Sequence, residues 1–318
     1  MFYIKIIDLS KFSTQLKMKK LAFVIPYYKI NFFEETLISL DQQTNKNFNV
    51  YIGNDKSPDD PSGIINNFPS LKIKYKAFEN NLGTKDLEGQ WIRCIDLSED
   101  EEWICILGDD DCPKKNFVEE FYNILPIVDE KEINVIKAAI TSIDTHSKLR
   151  GADLTHPEYD TSINTFWRDR NNQTHTSISE NIFRRSSYEK YGFRGFPLAW
   201  GTPLIAWMDY SEGGIIYGMN KTQMSVRSSE INLTRVNSYR DQKDVGEAMV
   251  YEIVFSDYYD KFNASQKFFL VKKYHAVLHY YKLKNKLPSS IFHLYGKYGG
   301  LKGKLFYILR ELKWKLTK

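Results

Sequence analysis

Along the first 140 residues, short apolar runs alternate with stretches in which apolar residues return every three or four positions. LAFVI (21–25) is an uninterrupted apolar run closed by Pro26, which predicts a buried strand. In NFFEETLISLDQQ (31–43), Phe32, Phe33, Leu37 and Leu40 share one helical face, and Asn31 stands where an N-cap belongs. FNVYIG (48–53) predicts a second strand, and the turn-rich NDKSPDDPSG follows it. LKIKYKAF (71–78) alternates strictly, as a third strand does. TKDLEGQWIRCIDL (84–97) predicts a helix, WICIL (103–107) a fourth strand, NFVEEFYNILPIV a helix and INVIKAAIT (133–141) a further strand. Residues 142–200 hold neither period and scatter Gly, His, Arg and Trp, so this is the expected variable, substrate-facing segment. TPLIAWMDYSE (202–212) predicts a helix, IIYGMNKTQMSVR (215–227) a hairpin or strand pair, and from about Asp241 the chain reads as helical. No internal repeat is visible.

Strands that alternate with helices give an α/β fold with a mainly parallel sheet flanked by helices, here with a helical C-terminal extension. Such sheets bind ligands in the crevice beyond the carboxyl ends of their strands. That rule gathers three polar clusters on one rim: Pro26–Tyr28 after the first strand, Asn54–Asp55 after the second and Asp109–Asp111 after the fourth.

The 318 residues, 42% of them apolar, suffice for a sizeable core. Three cysteines, Cys94, Cys105 and Cys112, with no CxxC, argue against a disulfide framework or a cysteine-rich zinc site. No run is long and apolar enough to span a bilayer, and the N-terminus lacks the apolar centre of a signal peptide. The expected location is the cytoplasm, including the inner face of the cell membrane. The net charge of +4 divides unevenly: the segment from Lys267 onward is +12, leaving −8 for residues 1–266. An acidic body argues against nucleic acid as a partner. His275 and His279 have i,i+4 metal-ligand spacing but no acid or cysteine close by in sequence. Walker A, GxGxxG and GxSxG sequences do not occur.

The chemistry concentrates in EEWICILGDDDCPKKNF (101–117), where an apolar strand ends in three consecutive aspartates. Adjacent carboxylates raise one another's pKa unless a positive charge intervenes. Mg2+ or Mn2+ meets that need, commonly through one or two carboxylates plus substrate phosphates. The stretch therefore predicts a metal–phosphate site, the alternative being a solvated acidic turn.

FVIPYYKINFFEETLISLDQQTNKNFNVYIGNDKSPDD, NLGTKD and LGDDDCPKKNFVEEF, in this order and spacing over about residues 20–125, resemble the nucleotide-binding half of family-2 glycosyltransferases with the GT-A fold. SISENIFRRSSYEKYGF, PLAWG and AWMDYSEGG resemble a bacterial surface-polysaccharide branch, which extends the likeness to about residue 235. The resemblance implies a nucleotide-sugar donor, usually a uridine one, a glycan or lipid-linked glycan acceptor, and inverting transfer assisted by Mn2+ or Mg2+. It places Pro26 and Tyr27 at the base pocket, Asp55 as acceptor of a base N–H, and Asn81, Gly83 and Lys85 near the ribose and phosphates. It points Asp109 toward the sugar or ribose and makes Asp110 or Asp111 the metal ligand. Domains expected on this basis are an N-terminal extension (1–20), a catalytic domain (21–240, divided near residue 125) and a basic helical region (241–318). MKKLAFVIPYY, from Met18, resembles a complete beginning, so Met1–Lys17 is expected to be dispensable.

The chain departs from the family where a base should stand. Relatives of this branch carry one or two Asp after PLAW, whereas Thr202, Pro203 and Leu204 occupy those positions here. Inverting transfer needs a group to take the acceptor proton; the nearest candidates are Asp209 and Glu212. Arg227 has two readings, a diphosphate contact or a surface salt bridge. The missing acids leave a second function open, a catalytically silent sugar-nucleotide or glycan-binding protein. A nucleotidyltransferase is disfavoured because IPYYKINFF lacks a basic Gly-rich phosphate loop. The final stretch LKGKLFYILRELKWKL (301–316) puts Leu301, Leu305, Ile308, Leu309, Leu312 and Leu316 on one helical face among lysines. Residues 267–318 are therefore expected to bind an anionic membrane surface.

Overall fold

A computed structural model describes residues 21–83, 85–230, 232–280 and 291–316. The expectation for Met1–Lys17 lies outside the described residues, as does that for residues 281–290 of the basic segment 267–318.

The apolar runs become the centre of the sheet. β1 (Leu21–Tyr27) lies between β2 (Phe48–Asn54) and β4 (Trp103–Ile106), and β3 (Ile73–Ala77) extends the edge beyond β2; all four are parallel. The other half contains β6 (Val135–Ile143), β8 (Asn181–Arg184), β9 (Ile215–Arg227) and the short β5 (Cys112–Pro113), with β7 (Tyr159–Thr161) paired to β9. The order is β3-β2-β1-β4-β8-β6-β9-β5. β8 runs antiparallel between β4 and β6, so a strand from the segment that showed no sequence period joins the two halves. β9 is one strand rather than a hairpin. Its register jumps from Met219 opposite Ala138 to Gln223 opposite Ala139, which absorbs the polar interruption that made it look like two.

Helices cover the sheet. α1 (Phe33–Asp41) and α3 (Phe117–Glu130) bury Phe33, Leu37, Leu40, Phe117, Phe121 and Leu125 in one core with Leu21, Phe23 and Ile25 of β1. The first helix is not capped by Asn31: Phe32 holds the cap position and no side chain caps it. α2 (Leu87–Ile95) has Asp86 as its cap, accepting from the Gly89 N–H at 2.8 Å. Its Trp91, Cys94 and Ile95 fill the core on the opposite face of the sheet. α4 (Ser162–Arg170), α5 (Arg185–Tyr191) and α6 (Thr202–Tyr210) come from the middle of the chain.

The C-terminal helices α7 (Arg240–Ile253), α8 (Ala264–Tyr280) and α9 (Ile291–Leu316) share a single core with Ile163, Phe166, Phe196, Ile205 and Met208. The helices after residue 240 thus pack onto α4 and α6 through common apolar contacts. Gly201 marks the closest approach. Its φ of 115° is left-handed, and a Cβ there would come within 2.4 Å of Val250 Cγ2 on α7. His275 and His279 are packing residues. His275 donates or accepts toward Tyr295 Oη and Glu311, and His279 stacks on Trp314 at 3.7 Å.

Candidate active site

The carboxyl ends of β1, β2 and β4 open into one cleft with three connected chambers. The first, about 580 Å3, is lined by Pro26, Tyr28, Asp55, Asn81, Gly83 and Asp109. The second, about 700 Å3, contains Lys29, Asp110, Asp111, Arg150 and Arg227. The third, about 400 Å3, reaches Trp91, Leu198, Trp200, Pro203 and Leu204. Leu87 and Leu233 line all three.

Most of the residues that the sequence points to meet here, with two exchanges. Tyr27 is wholly buried: its ring packs on Phe33 and its hydroxyl donates to the Asp59 carbonyl at 3.0 Å. It follows Leu21, Phe23 and Ile25 onto the face of β1 that packs on α1 and α3, and Tyr28, just past the strand, lines the chamber instead. Lys85 is exposed and lines none of the three chambers, whereas Lys29 lines two. Asp55 and Asn81 shape the loop after β3. The Asp55 carboxylate accepts from Leu82 N and Gly83 N at 2.7 Å each, from Asn81 Nδ2 at 3.0 Å and from Arg93. Four donors use the full capacity of a carboxylate, so a base N–H would have to share one of its oxygens.

The three aspartates diverge. Asp109 Oδ2 accepts the backbone N–H groups of Tyr28 (2.8 Å) and Lys29 (2.7 Å), which fixes the loop after β1. Asp111 faces inward: Ser179 Oγ donates to one oxygen at 2.6 Å and Arg227 N to the other at 2.8 Å. Asp110 meets only Lys29 Nζ, at 3.0 Å through Oδ2, and its Oδ1 accepts no hydrogen bond among the described residues. Burial holds the Asp109 and Asp111 carboxyls above the ordinary range, and the charge of Asp110 adds to both. Burial would lower the Lys29 ammonium, but Asp109 and Asp110 outweigh it and hold it above the usual lysine value. Among the described residues no three His, Cys, Asp or Glu side chains converge as a metal-ligand cluster.

Arg227 lines the second chamber and makes an ion pair with Glu35, though the arginine itself is buried rather than on the surface. It stacks over Phe32 at 4.3 Å, and donates to the carbonyls of Asp110 (3.0 Å) and Asp144 (2.9 Å) and to Glu35 (2.7 Å). It is the strut beneath the aspartate turn.

A buried network missed in the sequence holds the loop before β8. Lys137 Nζ donates to Glu180 at 3.0 Å, to the His175 carbonyl at 2.9 Å and to Thr176 at 3.0 Å. Burial would raise the Glu180 carboxyl, but Lys137 and Ser177 hold it down at about 2. The signal was present: Lys137 is the one charge inside the apolar run of β6.

Asp209 and Glu212, the sequence candidates for the base, lie outside these chambers. Asp209 is buried beneath Arg194, which donates to its two oxygens at 2.7 and 2.9 Å, and Tyr258 also donates to it. Glu212 is exposed and takes hydrogen bonds from Lys190 and Tyr191 at 2.7 Å each. Asp209, on α6, is turned toward Arg194 and Tyr258, and Glu212, past the end of α6, toward Lys190 and Tyr191 of α5. Asp209→Asn should therefore act on stability, lowering it by about 2 kcal/mol through weaker charge-assisted bonds. Thermal unfolding should show the loss, with nucleotide affinity unchanged.

A model of glycosyl transferase family 2 matches residues 22–192, more than half of the chain and all three strand ends that build the cleft. The chain belongs to glycosyl transferase family 2. Comparison with curated proteins finds no match. Among solved structures, residues 1–349 of S. aureus TarS in complex with UDP-GlcNAc align with TM-score 0.60 at 14% identity, covering 88% of this chain and 80% of that one. The mannosyltransferase PcManGT from Pyrobaculum calidifontis, in complex with GDP-Man and Mn2+, aligns with TM-score 0.51 at 13% identity, covering 92% and 79%. These likenesses concern the fold, and they agree with the GT-A architecture of this family-2 glycosyltransferase.

Proposed function

We propose that this glycosyltransferase moves a sugar from a UDP-sugar to a hydroxyl of a glycan or lipid-linked glycan, with inversion, in the synthesis of a bacterial surface polysaccharide. The observation that carries this reading is the joining of the Pro26–Asp55–Gly83 chamber to the Asp110 chamber through Lys29. A nucleoside fits the first and a diphosphate reaches the second. The TarS and PcManGT structures were obtained with UDP-GlcNAc and with GDP-Man and Mn2+, which supports a nucleotide-sugar donor here.

Mn2+ or Mg2+ suits the aspartate turn as a substrate-borne ion. Asp110, held by no backbone group, has an oxygen without a hydrogen bond among the described residues, Asp111 is the alternative, and donor phosphates supply further ligands. Such an ion offsets charge on a departing diphosphate. Lys29 can serve the same end as a preplaced cation beside the phosphates, and Asp109 holds Lys29 and Tyr28 in place. Titrating UDP into the protein by calorimetry, with and without Mn2+, tests the reading: metal-enhanced binding supports it, and absence of UDP binding defeats it. The silent-binding alternative draws on Thr202–Leu204, which line or adjoin the third chamber without an acid.

No described helix is long and apolar enough to cross a membrane. The last helix nevertheless suits a membrane surface. Beyond the kink at Gly300, Leu301, Leu305, Ile308, Leu309, Leu312 and Leu316 are exposed, from 45% to 86%. Glu311 and Arg310 turn inward to His275 and the Lys272 carbonyl. An outward leucine stripe flanked by Lys302, Lys304, Lys313 and Lys315 fits an anionic leaflet. The full chain should float with anionic liposomes at low salt and release at high salt, and Leu305→Gln/Leu309→Gln/Leu312→Gln should stay in the soluble fraction. Equal flotation of that variant would remove the tail as an anchor.

A further inference from the structure

A glycosyl transfer cleft needs a proton acceptor on the side away from the leaving diphosphate, and the carboxylates of this one are committed. Asp109, Asp110 and Asp111 stand at the diphosphate end of the cleft. In the third chamber the acids are Asp169 and Glu247, and both pair with Arg170, at 3.1 and 2.6 Å. Thr202 donates to Glu88, which also accepts the N–H groups of Gly195 and Phe196 behind the chamber wall.

One basic side chain stands at the junction. His175 lines both the Asp110 chamber and the Trp200 chamber, together with Ser177, Ile178 and Trp200. It is exposed, and neither ring nitrogen has a hydrogen-bond partner among the described residues. Its backbone is held firmly: its carbonyl accepts from buried Lys137 at 2.9 Å, and Thr174 on one side meets His156 Nδ1 at 3.4 Å. Two residues further on, Ser177 N donates to Glu180 at 2.8 Å. Ser179, in the same loop, grips Asp111 and takes the Gly108 N–H at 3.0 Å. One loop therefore ties the aspartate turn to the histidine across the cleft. A solvent-reached imidazole on a fixed backbone, open to both chambers, is placed to accept a proton from a bound hydroxyl.

We propose that His175 is the general base of this transferase. The inference rests on the donor lying along Asp55, Lys29 and Asp110, as proposed above. The acceptor hydroxyl gives its proton to a ring nitrogen of His175 while its oxygen forms the new bond to the anomeric carbon. The bond from that carbon to the phosphate oxygen breaks, and its electron pair leaves with the nucleoside diphosphate. The imidazolium then returns the proton to water. Charged groups around His175 are Lys137 and Glu180 on the sheet side, Asp169 and Arg170 on α4, Glu247 on α7, and Lys29, Asp110, Asp111, Arg150 and Arg227 in the chamber it shares with the aspartate turn.

The test uses the full chain and water as the acceptor. UDP release from UDP-glucose, UDP-galactose and UDP-GlcNAc is followed with Mn2+ from pH 5 to 9, alongside UDP affinity by calorimetry. His175→Gln should lower kcat about 10²-fold, leave KM and UDP affinity within about twofold, and remove the acidic limb of the pH–rate profile. Imidazole added to His175→Ala should restore part of the rate. A His175→Gln protein with the parent kcat and pH profile overturns the assignment while leaving the donor reading intact. A parent protein that neither binds UDP nor cleaves these donors defeats the donor reading, and the inference falls with it.

Discussion

Asp110→Asn should abolish the gain in UDP affinity that Mn2+ or Mg2+ provides and slow sugar transfer by about 10²- to 10³-fold, the range for losing one preorganised electrostatic group. Asp111 has both oxygens engaged and Asp109 is tied by Oδ2 to the backbone of Tyr28 and Lys29, whereas Asp110 meets only the Lys29 side chain and leaves Oδ1 without a hydrogen bond among the described residues. The melting temperature should hold, because the substitution weakens only the ion pair with Lys29. Asp111→Asn should behave differently: one oxygen becomes an amide, so the side chain cannot accept from both Ser179 and Arg227 N, and the fold loosens as activity falls. Calorimetry with and without EDTA, beside thermal unfolding, separates the two. If Asp111→Asn alone removes the metal increment, the ligand assignment must be exchanged.

Lys137→Met should destabilise the protein by about 3–5 kcal/mol, because it strands the Glu180 carboxylate, buried with no exposed surface, without its cation. The expected fall in Tm is about 5–10 °C. The pH dependence follows from Glu180, whose folded carboxyl is held at about 2, below its unfolded value of about 4.3. A depressed folded pKa gives stability that is complete above the unfolded value and is lost as pH falls through the folded one. Stability should therefore decline as pH drops from about 5 toward 2, and Glu180→Gln should flatten that decline. Urea unfolding between pH 2 and 7 reads both effects, and an unchanged slope in Glu180→Gln would show that the pair does not govern it.

β1, β2 and β4 were legible because they are buried on both faces, so LAFVI, FNVYIG and WICIL read directly as apolar runs, while the half-exposed edge strand β3 was legible by alternation. The polar ends of β1, β2 and β4 then gave the rim of the site by topology alone. β8 escaped because four residues, Asn181–Arg184, are too few for a period, and only pairing with β4 and β6, distant in sequence, makes them a strand. The family resemblance sends Tyr27 to the base pocket, although its alternation with Phe23 and Ile25 already turns it inward. Lys29 could have been found as the cation at the end of β1, facing three carboxylates. The stripe on α9 was visible, but no pattern of residues tells that its leucines face outward while Arg310 and Glu311 turn in. His175 carried no motif at all. A lone histidine between strands acquires meaning only when Lys137 and Ser179 place its loop against the cleft.

The central claim is that the Asp55–Lys29–Asp110 cleft binds and cleaves a nucleotide-sugar. The direct measurement is nucleoside diphosphate release from a panel of UDP-, GDP- and other nucleotide-sugars, with Mn2+ present, by the parent protein and Asp110→Asn. The account predicts release from at least one UDP-sugar by the parent and its loss in the variant. Binding without release would favour the silent module, and equal release by both proteins would contradict the site described here.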